Sequence, residues 1–162
     1  GFFIGTILDA NRILKKLRET SATSPDSDKP RVRFGNKLYT ITFDSENKNK
    51  ALSLPLQNYI ETHNYFGIQY EFDLVDAIDH CPEWLVPLCA LTKIALEYNL
   101  ELVFSTSFHH LIRQQHMEYN YHRSKTKISP LSTSTPLDFV TSEEWECVSL
   151  YLAFAFKKRG TS

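Results

Sequence analysis

Glycine is scarce in this sequence, and its spacing restricts what the chain can form by itself. The 162 residues contain only five glycines, which are Gly1, Gly5, Gly35, Gly67 and Gly160. A loop that cradles phosphates between a strand and a helix needs two or three glycines within about six residues. These positions cannot supply such a loop, so the chain is not a self-sufficient nucleotide-binding fold.

The composition is that of one ordinary globular domain. Hydrophobic residues make up 42% of the chain and charged residues 23%. Because the formal net charge is −1, a nucleic acid would have to be read by a local site rather than by a general basic surface. Three widely spaced cysteines favour a reducing compartment. We expect no signal peptide and no membrane span, since no apolar run approaches the roughly 18 residues that a span requires.

The first segment predicts a strand that is followed at once by a helix. Residues 1–6 are apolar and typical of a strand buried on both faces, as in a parallel sheet. Asp9 can cap a helix over residues 10–19, and the polar segment 20–30 predicts a loop. A chain seldom starts inside a core strand, so we expect these residues to be the second part of something longer.

The middle of the chain predicts an antiparallel unit. Residues 32–34 and 38–43 flank the pair Gly35-Asn36, which indicates a β-hairpin. Residues 44–64 predict an exposed connection. The strict alternation of apolar and polar residues over 66–74 predicts a half-buried antiparallel strand.

The rest of the pattern alternates between helix and strand. Pro82 predicts the start of a helix that continues to about Tyr98. The other expected elements are a strand over 100–104, a helix over 108–118 capped by Thr106 or Ser107, a loop over 119–140, a helix after a capping box from Thr141 to Glu144, and a strand over 150–156. This order predicts an α/β fold, half of a doubly wound domain with an inserted antiparallel β lid.

Glu83 is the strongest candidate for a functional carboxylate, because its neighbours Pro82, Trp84 and Val86 are apolar. One interpretation is an acid in the first turn of a helix, stabilised by the helix dipole. The other is a ligand carboxylate. A carboxylate accepts two parallel hydrogen bonds, such as those from N1–H and the 2-amino group of guanine, and adenine does not offer that pair.

Tyr151 is a second candidate, either as a core tyrosine on a strand or as an aromatic wall for a base. The spacing of His109, His116 and Cys147 is not one that holds a metal ion, so we expect no metal site. No cysteine lies in a nucleophile motif. The basic segment 157–159 favours a solvated chain end over phosphate contact.

Three stretches, in this order, resemble the C-terminal half of eukaryotic mRNA cap (guanine-N7) methyltransferases. The first, Gly1-Phe2-Phe3-Ile4-Gly5-Thr6, is similar to the strand after the methyl-donor site. The second runs from Phe66 through Tyr70-Glu71-Phe72 to Pro82-Glu83-Trp84-Leu85-Val86, and resembles the cap-pocket segment. The third combines Ser142-Glu143-Glu144-Trp145-Glu146 with Tyr151-Leu152-Ala153-Phe154-Ala155-Phe156, and resembles the C-terminal signature. The resemblance covers nearly all of the chain outside the loops.

The resemblance implies the C-terminal half of a class I (Rossmann-like) methyltransferase fold. It also implies transfer of a methyl group from S-adenosylmethionine to N7 of the 5′ guanosine cap of pre-mRNA, in the nucleus. By position, Glu83 corresponds to the guanine-reading carboxylate and Tyr151 to the cap-contacting tyrosine. Leu8 lies where the family often has a proline against the cap base. No catalytic residue is implied, because N7 carries a free lone pair and alignment suffices.

The donor-binding glycines of that family are absent here. The resemblance therefore implies that residues 1–162 are the cap-binding half, and that S-adenosylmethionine is bound mainly by an N-terminal half that is not in this chain. A non-catalytic interaction subunit that keeps half of a methyltransferase fold is the alternative. The isolated chain is expected to be inactive in either case.

Overall fold

The computed structural model describes residues 1–23, 30–54, 66–125 and 140–160. Within these ranges the chain forms a mixed α/β fold with two antiparallel sheets. Its elements are β1 (Phe2–Leu8), α1 (Ala10–Thr23), β2 (Arg31–Gly35), β3 (Tyr39–Asp44), α2 (Ser45–Ser53), β4 (Gln69–Leu74), β5 (Ile78–Trp84), α3 (Leu88–Glu97), β6 (Leu100–Ser107), α4 (Phe108–Lys125), α5 (Ser142–Ser149) and β7 (Tyr151–Lys158).

The smaller sheet has the strand order β1-β7-β6, and both pairings are antiparallel. The prediction that β1 is buried on both faces beside a parallel neighbour is therefore wrong for the described residues. Phe2 is 68% exposed and Ile4 is 73% exposed, because no described helix covers the face of the sheet that carries them. An apolar run predicts a strand whose side chains are buried by other elements. It does not predict whether those elements belong to the same segment of chain.

The larger sheet has the strand order β2-β3-β4-β5 and is antiparallel throughout. It confirms the predicted hairpin of β2 and β3 and the alternating strand β4. Gly35 ends β2 with φ +149°, and a Cβ there would lie 2.1 Å from the carbonyl oxygen of Tyr39. The turn therefore requires glycine at this position.

The predicted exposed connection over 44–64 is wrong for its first part, which is α2. Asp44 caps this helix by accepting a hydrogen bond from the backbone N–H of Asn47 at 2.7 Å. Asn47 is buried and its Oδ1 accepts from the backbone N–H of Gln69 at 2.8 Å. The polar composition of this segment predicted an exposed connection, but the segment forms a helix that packs against the larger sheet. Residues 55–65 lie outside the described residues.

Pro82 does not start a helix, contrary to the prediction. It lies within β5, and the helix α3 begins only at Leu88, after Pro87 in the N-cap position. The physical reason is that β5 is the last strand of its sheet. A proline is tolerated on an edge strand, because the outer side has no partner that needs its missing N–H.

The remaining helices match the predictions in place but differ in length. α1 continues to Thr23 and α4 to Lys125, both into segments that were expected to be loops. Ser107 is the residue whose Oγ accepts a hydrogen bond from the start of α4, at 3.2 Å from the N–H of His110. The capping box of α5 is confirmed, with Thr141 and Glu144 bonded in both directions. The rest of the predicted loop, 126–139, lies outside the described residues.

The main hydrophobic core lies between α1 and the larger sheet and includes Leu150 just before β7. Its largest fully buried side chains are Tyr39, Phe43, Phe72, Ile13, Leu17, Ile41 and Ile68. A smaller cluster under α3 contains Ala95, Phe154 and Phe156. Because Leu150 belongs to the main core, the start of β7 is held close to the larger sheet.

Candidate functional site

A cleft of about 420 Å³ opens between the two sheets, and it contains all three site residues predicted from the sequence. Leu8 comes from the end of β1, Glu83 from β5 and Tyr151 from the start of β7. Tyr70 on β4 and Trp84 on β5 also line the cleft. The fold therefore brings together residues from the beginning, the middle and the end of the sequence.

The strand registers explain this convergence. Leu8 lies directly opposite Tyr151 in the pairing of β1 with β7. Tyr70 lies directly opposite Glu83 in the pairing of β4 with β5. The cleft thus has one cross-strand pair from each sheet, and each pair is fixed by the backbone ladder of its own sheet.

Glu83 is half-buried and is held by a neighbouring hydroxyl group. The phenol of Tyr70 donates a hydrogen bond to Oε2 of Glu83 at 2.8 Å. Since Glu83 lies on a strand, the interpretation of it as a helix-dipole partner is wrong. One hydrogen bond uses only part of the acceptor capacity of a carboxylate, so Glu83 can accept further bonds from a ligand.

Tyr70 is a cleft residue that the sequence pattern does not identify, because the alternation marks it only as an inward position of a strand. It is 4% exposed, and its ring lies 5.6 Å from that of Phe43. Burial, followed by its hydrogen bond to Glu83, raises the pKa of Tyr70, so the hydroxyl stays protonated and remains a donor. The pairing of β4 with β5 places Tyr70 opposite Glu83. The sequence pattern does not reveal this pairing, because Pro82 predicts a helix where β5 lies.

Tyr151 packs at the edge of the main core and also lines the cleft, and its role as a wall for a base stays a prediction. It is half-buried. Its ring lies 5.8 Å from the ring of Phe108 at the start of α4. Burial, followed by the charges of Cys147 and Glu83, raises the pKa of Tyr151, which keeps its hydroxyl available as a donor.

Glu146 on α5 anchors the elements around the cleft. It pairs with Lys16 of α1, accepts a hydrogen bond from Nδ2 of Asn36 at 2.9 Å, and accepts another from the hydroxyl of Tyr39 at 3.2 Å. These bonds attach α5 to both α1 and the hairpin. They fix the helix that leads directly into Tyr151.

A metal site has little support in the described part of the chain. The one group there with suitable spacing is Asp73, Asp79 and His80, whose ligand atoms lie within 4.8 Å of one another. Oδ1 of Asp73 already accepts from the backbone N–H of His80 at 2.8 Å. Asp79 and His80 are exposed to water, and the group lies at the turn between β4 and β5, away from Glu83. We assign it no function.

The glycines of this chain do not supply a loop that cradles a ligand between a strand and a helix. None of the five glycines provides close backbone approach for a ligand at a strand–helix junction. The ring of Phe154 fills the space beside Gly5, since a Cβ there would lie 2.7 Å from that ring. Gly35 serves the hairpin turn, and Gly1, Gly67 and Gly160 have nothing within 4 Å of an added Cβ.

Among the residues that the structure describes, no helix combines the length and the apolar character needed to cross a membrane.

Comparison with known proteins defines the class to which this fold and cleft belong. Residues 1–159 match the family model described as the mRNA (guanine-N(7))-methyltransferase domain. Nearly the whole chain is therefore part of a methyltransferase domain. The chain belongs to the mRNA cap guanine-N7 methyltransferase family, which confirms the resemblance identified from its sequence motifs.

Curated relatives from distant eukaryotes match along the whole chain. It is 36% identical over 161 residues to mRNA cap guanine-N(7) methyltransferase 1 of rice (Oryza sativa), which is 99% of this chain and 39% of the rice protein. The Arabidopsis thaliana protein of the same name is 36% identical over 163 residues, 100% of this chain and 39% of the relative. For the Drosophila melanogaster enzyme the identity is 33%, over 98% of this chain and 37% of the relative. The chain thus spans well under half the length of these relatives.

Proposed function

We propose that this chain forms the cap-guanine pocket of an mRNA cap guanine-N7 methyltransferase. The enzyme transfers a methyl group from S-adenosylmethionine to N7 of the 5′ guanosine cap of pre-mRNA, in the nucleus. The observation that carries the proposal is the convergence of Leu8, Glu83 and Tyr151 in one cleft. The family resemblance assigns the same three positions to the cap guanine.

Glu83 reads the base in this proposal. Its carboxylate accepts hydrogen bonds from N1–H and the 2-amino group of guanine. The hydroxyl of Tyr70 donates to Oε2 from the protein side. Adenine has no donor at N1, so the acceptor sites of Glu83 that face the base would stay unpaired in a half-buried position. Tyr151 forms an aromatic wall and Leu8 an apolar contact for the ring.

Methyl transfer to N7 needs no general base, because N7 attacks with its own lone pair. The donor supplies a methyl group that is already electrophilic on a sulfonium. The residues of this chain hold the base in place, so that N7, the methyl group and the sulfur are aligned for transfer. The negative charge of Glu83 also offsets the positive charge that guanine gains as its N7 bond forms.

We further propose that a donor-binding part completes a class I methyltransferase fold with this chain. Two observations support it. The glycines do not form a donor loop, and β1 exposes Phe2, Phe3 and Ile4 beside an edge that pairs with no other described strand. Another strand and its helices would cover these residues. We call this chain together with that part the assembled enzyme.

The direct test is methyl transfer by the assembled enzyme to two dinucleotides, GpppG and ApppA. The proposal expects turnover with the guanine cap alone. A non-catalytic interaction subunit would transfer no methyl group to either, and that outcome would replace the proposal with the alternative.

The donor should not bind this chain by itself. Titration of S-adenosylmethionine into the isolated chain is expected to give no heat of binding in the micromolar range, since the loop that would cradle it is missing. Micromolar binding measured by calorimetry would contradict this assignment of the donor site to another part of the enzyme.

At Tyr151 the aromatic ring should matter more than the hydroxyl. Tyr151→Ala is expected to weaken binding of GpppG by roughly 5- to 150-fold, because stacking on an aromatic side chain contributes about 1–3 kcal/mol. Tyr151→Phe keeps the wall and should cost clearly less. Binding is measured on the assembled enzyme, with thermal melting as the control for folding. Equal losses for the two variants would show that the ring does not contact the base.

A further inference from the structure

Four basic side chains lie together in the first two turns of two helices. Arg12 belongs to α1, and His109, His110 and Arg113 belong to α4. We call these residues the basic cluster. His109 and Arg113 are separated by four positions, so they share one face of α4.

Packing through α5 brings the two helices together. Arg12 and Lys16 are also four positions apart and share a face of α1, and Lys16 pairs with Glu146 of α5. The preceding residue, Trp145, contacts α4, since its ring lies 4.4 Å from that of His109. The face of α1 that carries Arg12 is thus turned toward the start of α4.

The positive charge of the basic cluster is not neutralised within the described residues. Neither Arg12 nor Arg113 has an ion pair or a side-chain hydrogen bond there, although Arg12 is half-buried. The pKa of His109 is lowered by partial burial and then by Arg113, Arg12 and His110, with no carboxylate among the causes. The carboxylates of α5 have other partners: Lys16 for Glu146, Thr141 for Glu144 and Ser142 for Glu143.

The basic cluster is adjacent to the cleft on two sides. Phe108 directly precedes His109, and its ring packs against Tyr151. Leu8 lines the cleft just before α1 begins, and Arg12 follows about one helical turn later, which is roughly 5 Å along the axis. A ligand that leaves the cleft in this direction reaches two guanidinium groups that have no acceptor among the described residues.

We propose that the basic cluster binds phosphate groups of the RNA substrate beside the cleft. This inference rests on the proposed function, because a cap guanosine is joined to its transcript through a triphosphate bridge. A base held by Glu83 and Tyr151 is followed directly by phosphates. The guanidinium group matches phosphate with two parallel hydrogen bonds, which makes arginine the suitable residue.

The test uses the double variant Arg12→Gln with Arg113→Gln in the assembled enzyme. Binding of GpppG and of a short capped RNA is measured by fluorescence anisotropy over a range of salt concentrations. For the capped RNA, the slope of log affinity against log salt should fall by about 1.4, since each phosphate contact on a single strand contributes about 0.7.

Two further variants separate charge from structure. Lys15→Gln with Arg33→Gln removes the same charge from exposed positions and should keep the original slope. Arg12→Lys with Arg113→Lys keeps the charge and should largely restore it. If the double variant lowers the slope for GpppG as well, the contacts lie on the triphosphate bridge. If it lowers the slope only for the capped RNA, they lie on the phosphodiesters of the RNA. Both outcomes support the proposal.

A slope equal to that of the Lys15 and Arg33 control would overturn the inference while leaving the proposed function intact. Failure of the proposed function gives a different signature. In that case the unaltered enzyme itself binds GpppG no better than ApppA.

Discussion

Glu83→Gln is expected to reduce binding or methylation of a guanosine cap by about 30- to 1000-fold in the assembled enzyme. The substitution keeps the shape of the side chain but replaces one acceptor oxygen by an NH₂ group. Because the hydroxyl of Tyr70 donates to Oε2, the remaining oxygen of glutamine is drawn to Tyr70 and the NH₂ group then faces a guanine N–H. Loss of a charge-assisted bond together with an unpaired donor costs roughly 2–4 kcal/mol.

The measurement is methyl transfer to guanosine-capped RNA, with donor affinity and thermal melting as controls. Donor affinity should not change, since the donor site is assigned to another part of the enzyme. A variant that melts normally and keeps turnover within about threefold of the parent would show that the carboxylate does not read the base. The guanine assignment would then have to be abandoned.

Tyr70→Phe should weaken cap binding by roughly 10- to 100-fold without any direct contact between Tyr70 and the base. Its hydroxyl holds Glu83 in one orientation, and a hydrogen bond to a charged group contributes about 1.5–3 kcal/mol. The effect should depend on the carboxylate. When Glu83→Gln is already present, adding Tyr70→Phe should cost less than about threefold, because the orientation that it fixes no longer matters.

The chain offers a matched control in Tyr39→Phe. Tyr39 is equally buried, and its hydroxyl also donates to a carboxylate, that of Glu146, at 3.2 Å. This variant removes the same kind of bond outside the cleft, and Lys16 and Asn36 still hold Glu146 in it. It should therefore lower the melting temperature but leave cap binding within about threefold. If both variants weaken cap binding equally, Tyr70 acts through stability alone.

The sequence predicted well those features that depend on neighbouring residues. Gly35 and Asn36 defined a hairpin, and Thr141 and Glu144 defined a capping box. The family resemblance selected Leu8, Glu83 and Tyr151, whose roles stay predictions. Each of these signals is complete within a few residues. The structure adds that the three selected residues lie in one cleft.

The errors arose where a partner distant in sequence decides the outcome. Pro82 followed by an apolar stripe fits a helix start, and it fits equally well an edge strand that runs into a helix at Leu88. Only the pairing of β5 with β4 distinguishes the two. The role of Tyr70 depends on the same register. The exposure of Ile4 depends on which elements pack over its face of the sheet.

The antiparallel pairing of β1 with β7 also constrains when the pocket can form. Leu8 and Tyr151 are neighbours in the sheet but lie near opposite ends of the printed sequence. Contacts between such distant segments form late and slowly during folding, because a long loop must be closed first. On the ribosome, the wall made by Leu8 and Tyr151 cannot assemble until β7 has emerged from the exit tunnel. If this cleft binds the cap as proposed, we expect a nascent chain that stalls before β7 to bind no cap, however well its earlier strands have folded.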